Sequence, residues 1–363
     1  MQRKKRVKKN RVREKRVLIA AGGTGGHILP AVVFGRWLEA RHEASVSYLA
    51  GGRPLEREIY ASFGIEPHIL PIEGSPLGVR SPVRMLLRSL ALLKSLGTAA
   101  RCISREEPDV CVLFGGYVSL PPLLICRIRR IPVVIHEQNA VAGRVTRLAS
   151  RCGAVVASGW RACDGVLSFL PVGIPVRRPE RLLPSRARER MALELPKGGR
   201  IVGVAGGSLG SRALVERALA VAASFGKRGD NVVFLFLGDP PEFDLPSNVR
   251  FVGRQWDMNP FYSLCDALIC RAGGSTLAEA LRWGIPAVVV PWEGAAEGHQ
   301  ERNARCFEEA GGGIVWREGG GEPLDASLKK VLARGRKPLA SDEAKSACSK
   351  LWAMLSLQIK GFG

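Results

Sequence analysis

Two short apolar runs, each ending in glycines and followed by a helical pattern, constrain this chain more than any other feature. The first, Arg16-Val17-Leu18-Ile19-Ala20-Ala21, enters Gly22-Gly23-Thr24-Gly25-Gly26-His27. The second, Arg200-Ile201-Val202-Gly203-Val204-Ala205, enters Gly206-Gly207-Ser208-Leu209-Gly210-Ser211. Uninterrupted apolar runs of this kind are typical of strands buried on both faces in a parallel sheet. Helical spacing follows over 28–41 and 211–224. The duplication predicts two similar α/β domains, each opened by strand, glycine loop and helix. A length of 363 residues agrees, because single hydrophobic cores stop growing at roughly 250–300 residues.

Further buried-strand candidates fall at 45–50, 110–114, 132–136 and 153–157, and then at 231–237, 249–252, 266–270 and 286–290. Helical stretches between most of them predict a doubly wound parallel sheet in each half. The Pro- and Gly-rich segment 171–179 reads as the interdomain linker. Residues 317–324 read as a loop, and 341–358 as a helix able to pack back on the first domain. The division that results is a basic tail over 1–16, a first domain over 17–175, a second over 176–340 and a terminal helical segment over 341–363.

Charge separates the possible partners. Lys plus Arg number 54 against 33 acids, a net +21. Residues 1–16 hold ten bases and one acid, so +9 sits in a segment without apolar periodicity, expected to be a solvated arm. Residues 17–175 and 176–363 carry +6 each. No aromatic residue interleaves the tail's bases, so no stacking platform for nucleic acid is expected. No apolar segment with a small-residue cleavage site marks a secretory signal. The longest apolar stretch, 110–126, is broken by Gly115-Gly116 and Pro121-Pro122, and reads as strand, loop and helix start rather than a membrane span. Nine scattered cysteines without a CxxC pair fit free thiols in a reducing cytosol.

A basic amphipathic face does occur. Over 79–101, Val79, Val83, Leu86, Leu87, Leu90 and Leu93 are interleaved with Arg80, Arg84, Arg88, Lys94 and Arg101; Arg127, Arg129 and Arg130 add to it. The pattern suits an anionic lipid surface, the alternative being a core-facing helix with solvated arginines.

Six motifs carry candidate chemistry. Glycines in the 22–27 loop let the backbone approach a ligand, and the helix that follows favours negative charge. The loop is not a GxGxxG fingerprint, since the sixth position from Gly23 is Ile28, and no Gly-Lys-Ser/Thr follows. His27 falls in the first helical turn, where the helix terminus lowers its pKa toward the base-competent form; it could equally cap the loop. The 206–211 loop offers amides and the Ser208 hydroxyl to a phosphate, or is a tight strand–helix turn. Arg271-Ala272-Gly273-Gly274-Ser275-Thr276-Leu277-Ala278-Glu279 opens another helix. There Glu279 can accept two sugar hydroxyls, or complete a capping box with Ser275 or Thr276. His136-Glu137-Gln138-Asn139 ends a strand, where open α/β sheets bind ligands. Gly115-Gly116-Tyr117-Val118-Ser119 also follows a strand, and Glu297–Asn303 forms a polar helix start.

In this order and spacing, GGTGGH, GGYVS, HEQNA, GGSLGS, RAGGSTLAE and the GHQ that precedes Asn303-Ala304 resemble the MurG family of glycosyltransferases over residues 16–310. The resemblance implies the GT-B fold, two Rossmann-like domains facing a deep cleft. It implies an inverting transfer of N-acetylglucosamine from UDP-N-acetylglucosamine to the 4-hydroxyl of a polyprenyl-diphosphate-linked N-acetylmuramoyl-pentapeptide, the lipid I to lipid II step of peptidoglycan synthesis. His27 would be the base. On the donor side, Ser208 would contact the diphosphate, Glu279 the ribose, His299 and Gln300 the sugar hydroxyls, and Gln255 the uracil through its backbone. Thr24, Gly25, Asn139 and Arg177 would complete that site. Gly22, Gly23, Gly26, Gly115, Gly116, Tyr117 and Glu137 would form the acceptor side.

Residues 252–258, Val-Gly-Arg-Gln-Trp-Asp-Met, depart from the apolar wall the family usually sets against uracil, and His299 stands where some members carry glutamine. No DxD motif or His/Cys cluster suggests a metal, so no cofactor is expected beside the donor substrate. The implied location is the cytoplasmic face of the inner membrane, held peripherally on anionic lipid, with a cell-wall synthesis complex as a further partner. Two other classes stay open. One is a different GT-B enzyme, such as a diacylglycerol glycosyltransferase or a UDP-N-acetylglucosamine 2-epimerase, against which GGTGGH with HEQN argues. The other is a non-enzymatic membrane- or nucleic-acid-binding protein on a vestigial sugar fold.

Overall fold

The apolar runs become strands of two all-parallel sheets in a computed structural model, which describes residues 14–42, 44–72, 74, 81–195, 198–207, 210–339 and 346–359. The first sheet comprises β1 (Lys15–Ala20), β2 (Ala44–Gly51), β3 (His68–Leu70), β4 (Val110–Leu113), β5 (Val133–Glu137), β6 (Val155–Ser158) and β7 (Leu170–Pro171), in the order β3-β2-β1-β4-β5-β6-β7. The second comprises β8 (Arg200–Ala205), β9 (Val232–Leu237), β10 (Val249–Val252), β11 (Ala267–Cys270), β12 (Ala287–Val289) and β13 (Gly313–Val315), in the order β10-β9-β8-β11-β12-β13. Every ladder in both sheets is parallel. These are two doubly wound Rossmann-like domains, as the duplicated openings predict. In each the strand order reverses beside the first strand, at β1/β4 and at β8/β11, and sheets of this class bind ligands outside the strand ends at that switch point.

Helices connect the strands on both faces. In the first domain they are α1 (Gly25–His42), α2 (Pro54–Ser62), α3 (Pro82–Glu106), α4 (Leu120–Ile128) and α5 (Arg144–Arg151). In the second they are α6 (Pro184–Arg190), α7 (Arg212–Lys227), α8 (Asn259–Leu264), α9 (Gly274–Trp283), α10 (His299–Glu309) and α11 (Leu324–Arg334). The local chemistry explains their ends. Ser81 caps α3 by accepting from the Arg84 amide, with Pro82 in the first turn, and Ser211 caps α7 by accepting from the Leu214 amide. The 110–126 stretch resolves into β4, a single 3-10 turn at Tyr117–Ser119 and α4. Among the described residues no helix is long and apolar enough to cross a membrane.

Three details differ from the sequence reading. Strands β3, β7 and β13 have three, two and three residues and lie in unbroken apolar runs of at most three residues, too short to announce them. The tail does not extend to residue 16, because β1 begins at Lys15 and pairs Lys15 with Ala44 and Arg16 with Ser45. The Arg16 amide donates to Asp109 at 2.9 Å and its guanidinium pairs with Glu107; residues 1–13 of the tail lie outside the described residues. The terminal helix is α12 (Ala347–Ser356), and residues 340–345, where the second domain was expected to end, are likewise outside them.

The packing joins the two halves. Cys348, Leu351, Met354 and Leu355 of α12 are buried with Val32, Phe34 and Phe114 of the first domain, so the chain returns to complete the core in which it began. Trp160 and Ile174, from the first half, are buried with Phe261, Leu277 and Trp283 of the second.

Candidate active site

The loops after β1, β5, β8 and β11 face one another across an interdomain cleft of about 740 Å3. Thr24, Gly25, Gly26, His27, Gln138 and Asn139 line it from the first domain. Gly206, Gly207, Gly210, Arg271, Ser275, Glu279, His299 and Gln300 line it from the second. The N-termini of α1, α7 and α9 all open here, so three sets of unsatisfied amides and three positive dipole ends converge on one space. Ser208 lies outside the described residues.

The His27 amide donates to the Thr24 carbonyl at 3.1 Å, and the His27 ring places Nδ1 3.3 Å from the Thr24 hydroxyl. Burial lowers its pKa, with His299 adding to the effect and Glu137 opposing it. The neutral imidazole, able to accept a proton, is therefore the form present near neutral pH. With Nδ1 turned to Thr24, the other ring edge lies beside Gly115. A β-carbon at position 115 would stand 3.1 Å from His27 Cδ2 and 3.3 Å from Nε2, and Gly115 has φ +81°. The Gly115-Gly116 loop thus leaves the ring its space.

The glycine loops of the first domain lie backbone against backbone. A β-carbon on Gly116 would stand 3.0 Å from the Gly22 carbonyl oxygen. Gly22 is buried beneath Val118 and does not reach the cleft. Gly23 is held by its amide, which donates to Glu56 at 2.8 Å. Glu56 is 2% exposed, and burial raises its carboxyl pKa against the opposing pull of the Gly23 amide. Sequence reasoning missed this residue, which sits in an ordinary helical string, Pro54-Leu55-Glu56-Arg57-Glu58. Gly23 and Tyr117 line a separate cavity of about 360 Å3 together with Arg53 and Arg88.

The His136–Asn139 cluster divides into support and display. His136 Nε2 lies 2.8 Å from the Gly173 carbonyl oxygen, and burial lowers the ring's pKa to about 4. Glu137 does not line the cleft as the acceptor-side reading expects. Its carboxylate accepts from the Asn139 amide at 3.0 Å, the Asn139 side chain at 3.2 Å, the Gly143 amide at 3.0 Å and the Thr146 hydroxyl at 2.5 Å. A carboxylate so occupied has little left for a ligand, and its effect is to aim Asn139.

On the second domain, the Tyr262 hydroxyl donates to Glu279 at 2.7 Å. Burial raises the Glu279 pKa to about 6, against the Tyr262 hydrogen bond and the Arg177 charge. No capping box forms, because α9 starts after Gly273 without a side-chain cap. Arg177 stands behind Glu279 rather than in the cleft, 3.3 Å from Asp257 and with its guanidinium 4.5 Å from the centre of the Phe63 ring. Gln255 is also absent from the cleft lining and donates to the Gly253 carbonyl at 3.2 Å. Trp256 and Met258, within the departing 252–258 segment, line a small pocket together with Glu279.

His299 Nδ1 lies 2.7 Å from the Ala296 carbonyl oxygen, and Gln300 accepts from the Trp292 amide at 2.9 Å. Arg271 is a residue the motif reading passed over. It is 9% exposed and bonds the α7 cap, Ser211, at 3.1 and 3.0 Å. Its string was visible as RAGGST; that the guanidinium would reach the glycine loop of a different strand was not. Among the described residues, three metal-type donors come together only at His68, Cys102 and Glu106, outside the cleft, where Arg105 bonds both His68 and Glu106.

Two Rossmann-like domains facing such a cleft define a GT-B glycosyltransferase. The glycosyltransferase family 28 N-terminal domain matches residues 17–158, and the family 28 C-terminal domain matches residues 201–355. A protein of Desulforudis audaxviator named UDP-N-acetylglucosamine–N-acetylmuramyl-(pentapeptide) pyrophosphoryl-undecaprenol N-acetylglucosamine transferase is 33% identical over 362 residues, covering 94% of this chain and 96% of that one. A protein of the same name from Symbiobacterium thermophilum is 35% identical over 333 residues, covering 87% of each. The crystal structure of Acinetobacter baumannii MurG is similar with a TM-score of 0.64 and 27% identity, covering 94% of this chain and 95% of that one. The chain belongs to the MurG family of N-acetylglucosamine transferases.

The family resemblance gives Glu279 the two ribose hydroxyls, and protonation turns one of its two acceptor oxygens into a donor, so donor binding should weaken as pH falls through about 6. Tyr262→Phe removes the hydroxyl that favours the carboxylate, so the inflection should move to higher pH. Titration of UDP binding by calorimetry between pH 5 and 8 reads both effects. An inflection left in place by Tyr262→Phe would contradict this account of Glu279.

Proposed function

We propose that the chain transfers N-acetylglucosamine from UDP-N-acetylglucosamine to the 4-hydroxyl of a lipid-linked N-acetylmuramoyl-pentapeptide. The observation that carries this reading is the opposition of His27 and Asn139 on one domain to Glu279, His299 and Gln300 on the other, across one cleft in a member of this family. The donor's diphosphate would take the amides of the 206–211 loop, with Arg271 behind them. Glu279 would accept the two ribose hydroxyls, and His299 with Gln300 would hold the sugar. The acceptor hydroxyl gives its proton to the free ring nitrogen of His27 as its oxygen attacks C1 from the side opposite the diphosphate. The C1–oxygen bond to UDP breaks with its electron pair on the diphosphate, where helix termini stabilise the developing charge. In-line attack of this kind converts an α-linked donor into a β-linked product.

The acceptor is a lipid, and α3 supplies a surface for meeting its membrane. Val83, Leu86, Leu87 and Leu93 are 59–66% exposed and Ile128 is 77% exposed. The face of α3 turned to the core is instead Ser95, Ala99, Cys102 and Ile103. Arg84 and Lys94 are exposed on the same helix, and Arg127, Arg129 and Arg130 are exposed at the end of α4, which packs on it. Val79 and Arg80 lie outside the described residues. An exposed apolar row with exposed bases on its own helix and the neighbouring one suits the acyl and headgroup boundary of an anionic leaflet. This supports a peripheral position on the cytoplasmic side of the cell membrane, where enzymes that make and consume the lipid-linked sugar would meet it.

His27→Ala should lower kcat by about 100- to 10,000-fold, the usual worth of a general base, while UDP affinity changes only a few-fold. Unchanged turnover with a lipid-linked or shortened acceptor would remove His27 from this role. In vesicle co-sedimentation, binding should rise with anionic lipid and fall with salt. Arg84→Gln with Arg129→Gln should cost about fivefold per charge, from roughly 1 kcal/mol per base at an anionic surface. Equal binding to neutral and anionic vesicles would contradict the electrostatic part.

A further inference from the structure

One side chain ties the donor-sugar turn to the acceptor domain. Asn303 lies one helical turn beyond His299 and Gln300 on α10 and is fully buried. Its Oδ1 accepts from the Ala140 amide at 2.7 Å. Its Nδ2 donates to Asn139 Oδ1 at 3.0 Å and to the Ala272 carbonyl at 2.9 Å. Three segments therefore share one amide: the loop after β5 in the first domain, the loop after β11 in the second, and α10. Asn139 is fixed from the other side by Glu137, so its amide plane has a donor and an acceptor at set places.

The surroundings run the same way. Arg302, the neighbour of Asn303, pairs with Asp164 of the first domain at 3.0 Å. Asp164 is itself laced to the 139–142 loop, its amide donating to the Ala140 carbonyl at 2.9 Å and its carbonyl accepting from the Ala142 amide at 2.8 Å. Arg147 of α5 pairs with Glu297, which precedes the His299 turn and has φ 57°. The exposed ion pairs contribute little by themselves. The buried amide is different, because removing it strands the Ala140 donor, the Asn139 oxygen and the Ala272 acceptor together.

We propose that Asn303 is a positioning residue for the transfer reaction: it sets Asn139 and holds the donor-sugar residues of α10 at a fixed distance from the acceptor loop. This rests on the reaction proposed above, and the contact itself is one between the two domains. Removing it lets Asn139 turn and lets the two halves of the reaction drift apart, so kcat falls more than donor affinity.

The test is a double-mutant cycle with a structural readout. Asn139→Ala and Asn303→Ala should each lower kcat/KM at least tenfold, and the double variant should lie within about threefold of the worse single one. Losses that multiply in the double variant would overturn the proposal, since a merely structural Asn303 would act independently of Asn139. Hydrogen exchange on the chain without substrates gives the second arm. The Ala140 amide should exchange at least tenfold faster in Asn303→Ala, with β8 and β9 unchanged. An unchanged Ala140 rate would overturn the proposal whatever reaction the chain catalyses; a wild-type chain that transfers no sugar would instead refute the reaction. Asn303→Asp covers the case in which Asn303→Ala does not fold, because it keeps the acceptor for Ala140 and loses both donors. It should keep Ala140 protected and still lose turnover, and full turnover would contradict the role given to Asn303.

Discussion

A β-carbon at position 274 would stand 2.2 Å from the carbonyl oxygen of Gln138, so the turn that opens α9 and the loop that follows β5 can meet only backbone to backbone. That contact brings the two domains close enough for Ser275 to donate to the Gly26 carbonyl at 3.0 Å. The N-termini of α1 and α9 are then set against each other with the cleft between them. The first carries the neutral imidazole of His27, and the second carries the carboxylate of Glu279. Both are shifted by burial toward their uncharged forms, a state that a water-filled groove between separated domains would not produce.

Much of this arrangement is legible before any coordinates. Two apolar runs entering glycine loops require two sheets, and apolar strands alternating with helices require parallel ones. Glycine loops at strand ends then place the ligand between the domains. Side-chain orientation is another matter. Glu137 looks like a hydroxyl ligand because it ends a strand beside Asn139, yet Gly143 and Thr146, six and nine residues on, turn back to consume its oxygens. Glu56 and Arg271 escape notice for the converse reason. Their importance comes from chain segments far away in sequence, the Gly23 amide in one case and the Ser211 hydroxyl in the other.

Charge shows the same separation between what composition says and what folding decides. A net +21 reads at first as an affinity for polyanions spread over the whole chain. The fold takes Lys15 and Arg16 into a strand, leaves Arg84 exposed on the helix that carries the exposed leucines, and leaves Arg127 and Arg129 exposed at the end of α4, which packs on that helix. Arg271 and Arg336 turn inward to hold carbonyl groups.

The central claim is that one cleft brings a base from the first domain and a nucleotide-sugar site from the second together for in-line displacement. Its most direct test is the configuration of the product formed by the full chain from UDP-N-acetylglucosamine and a soluble diphosphate-linked muramoyl acceptor, read by proton NMR at the new anomeric carbon. The account predicts a β-linkage to the 4-hydroxyl with one UDP released per bond formed. An α-linked product, or UDP released without a glycosidic bond, would contradict it.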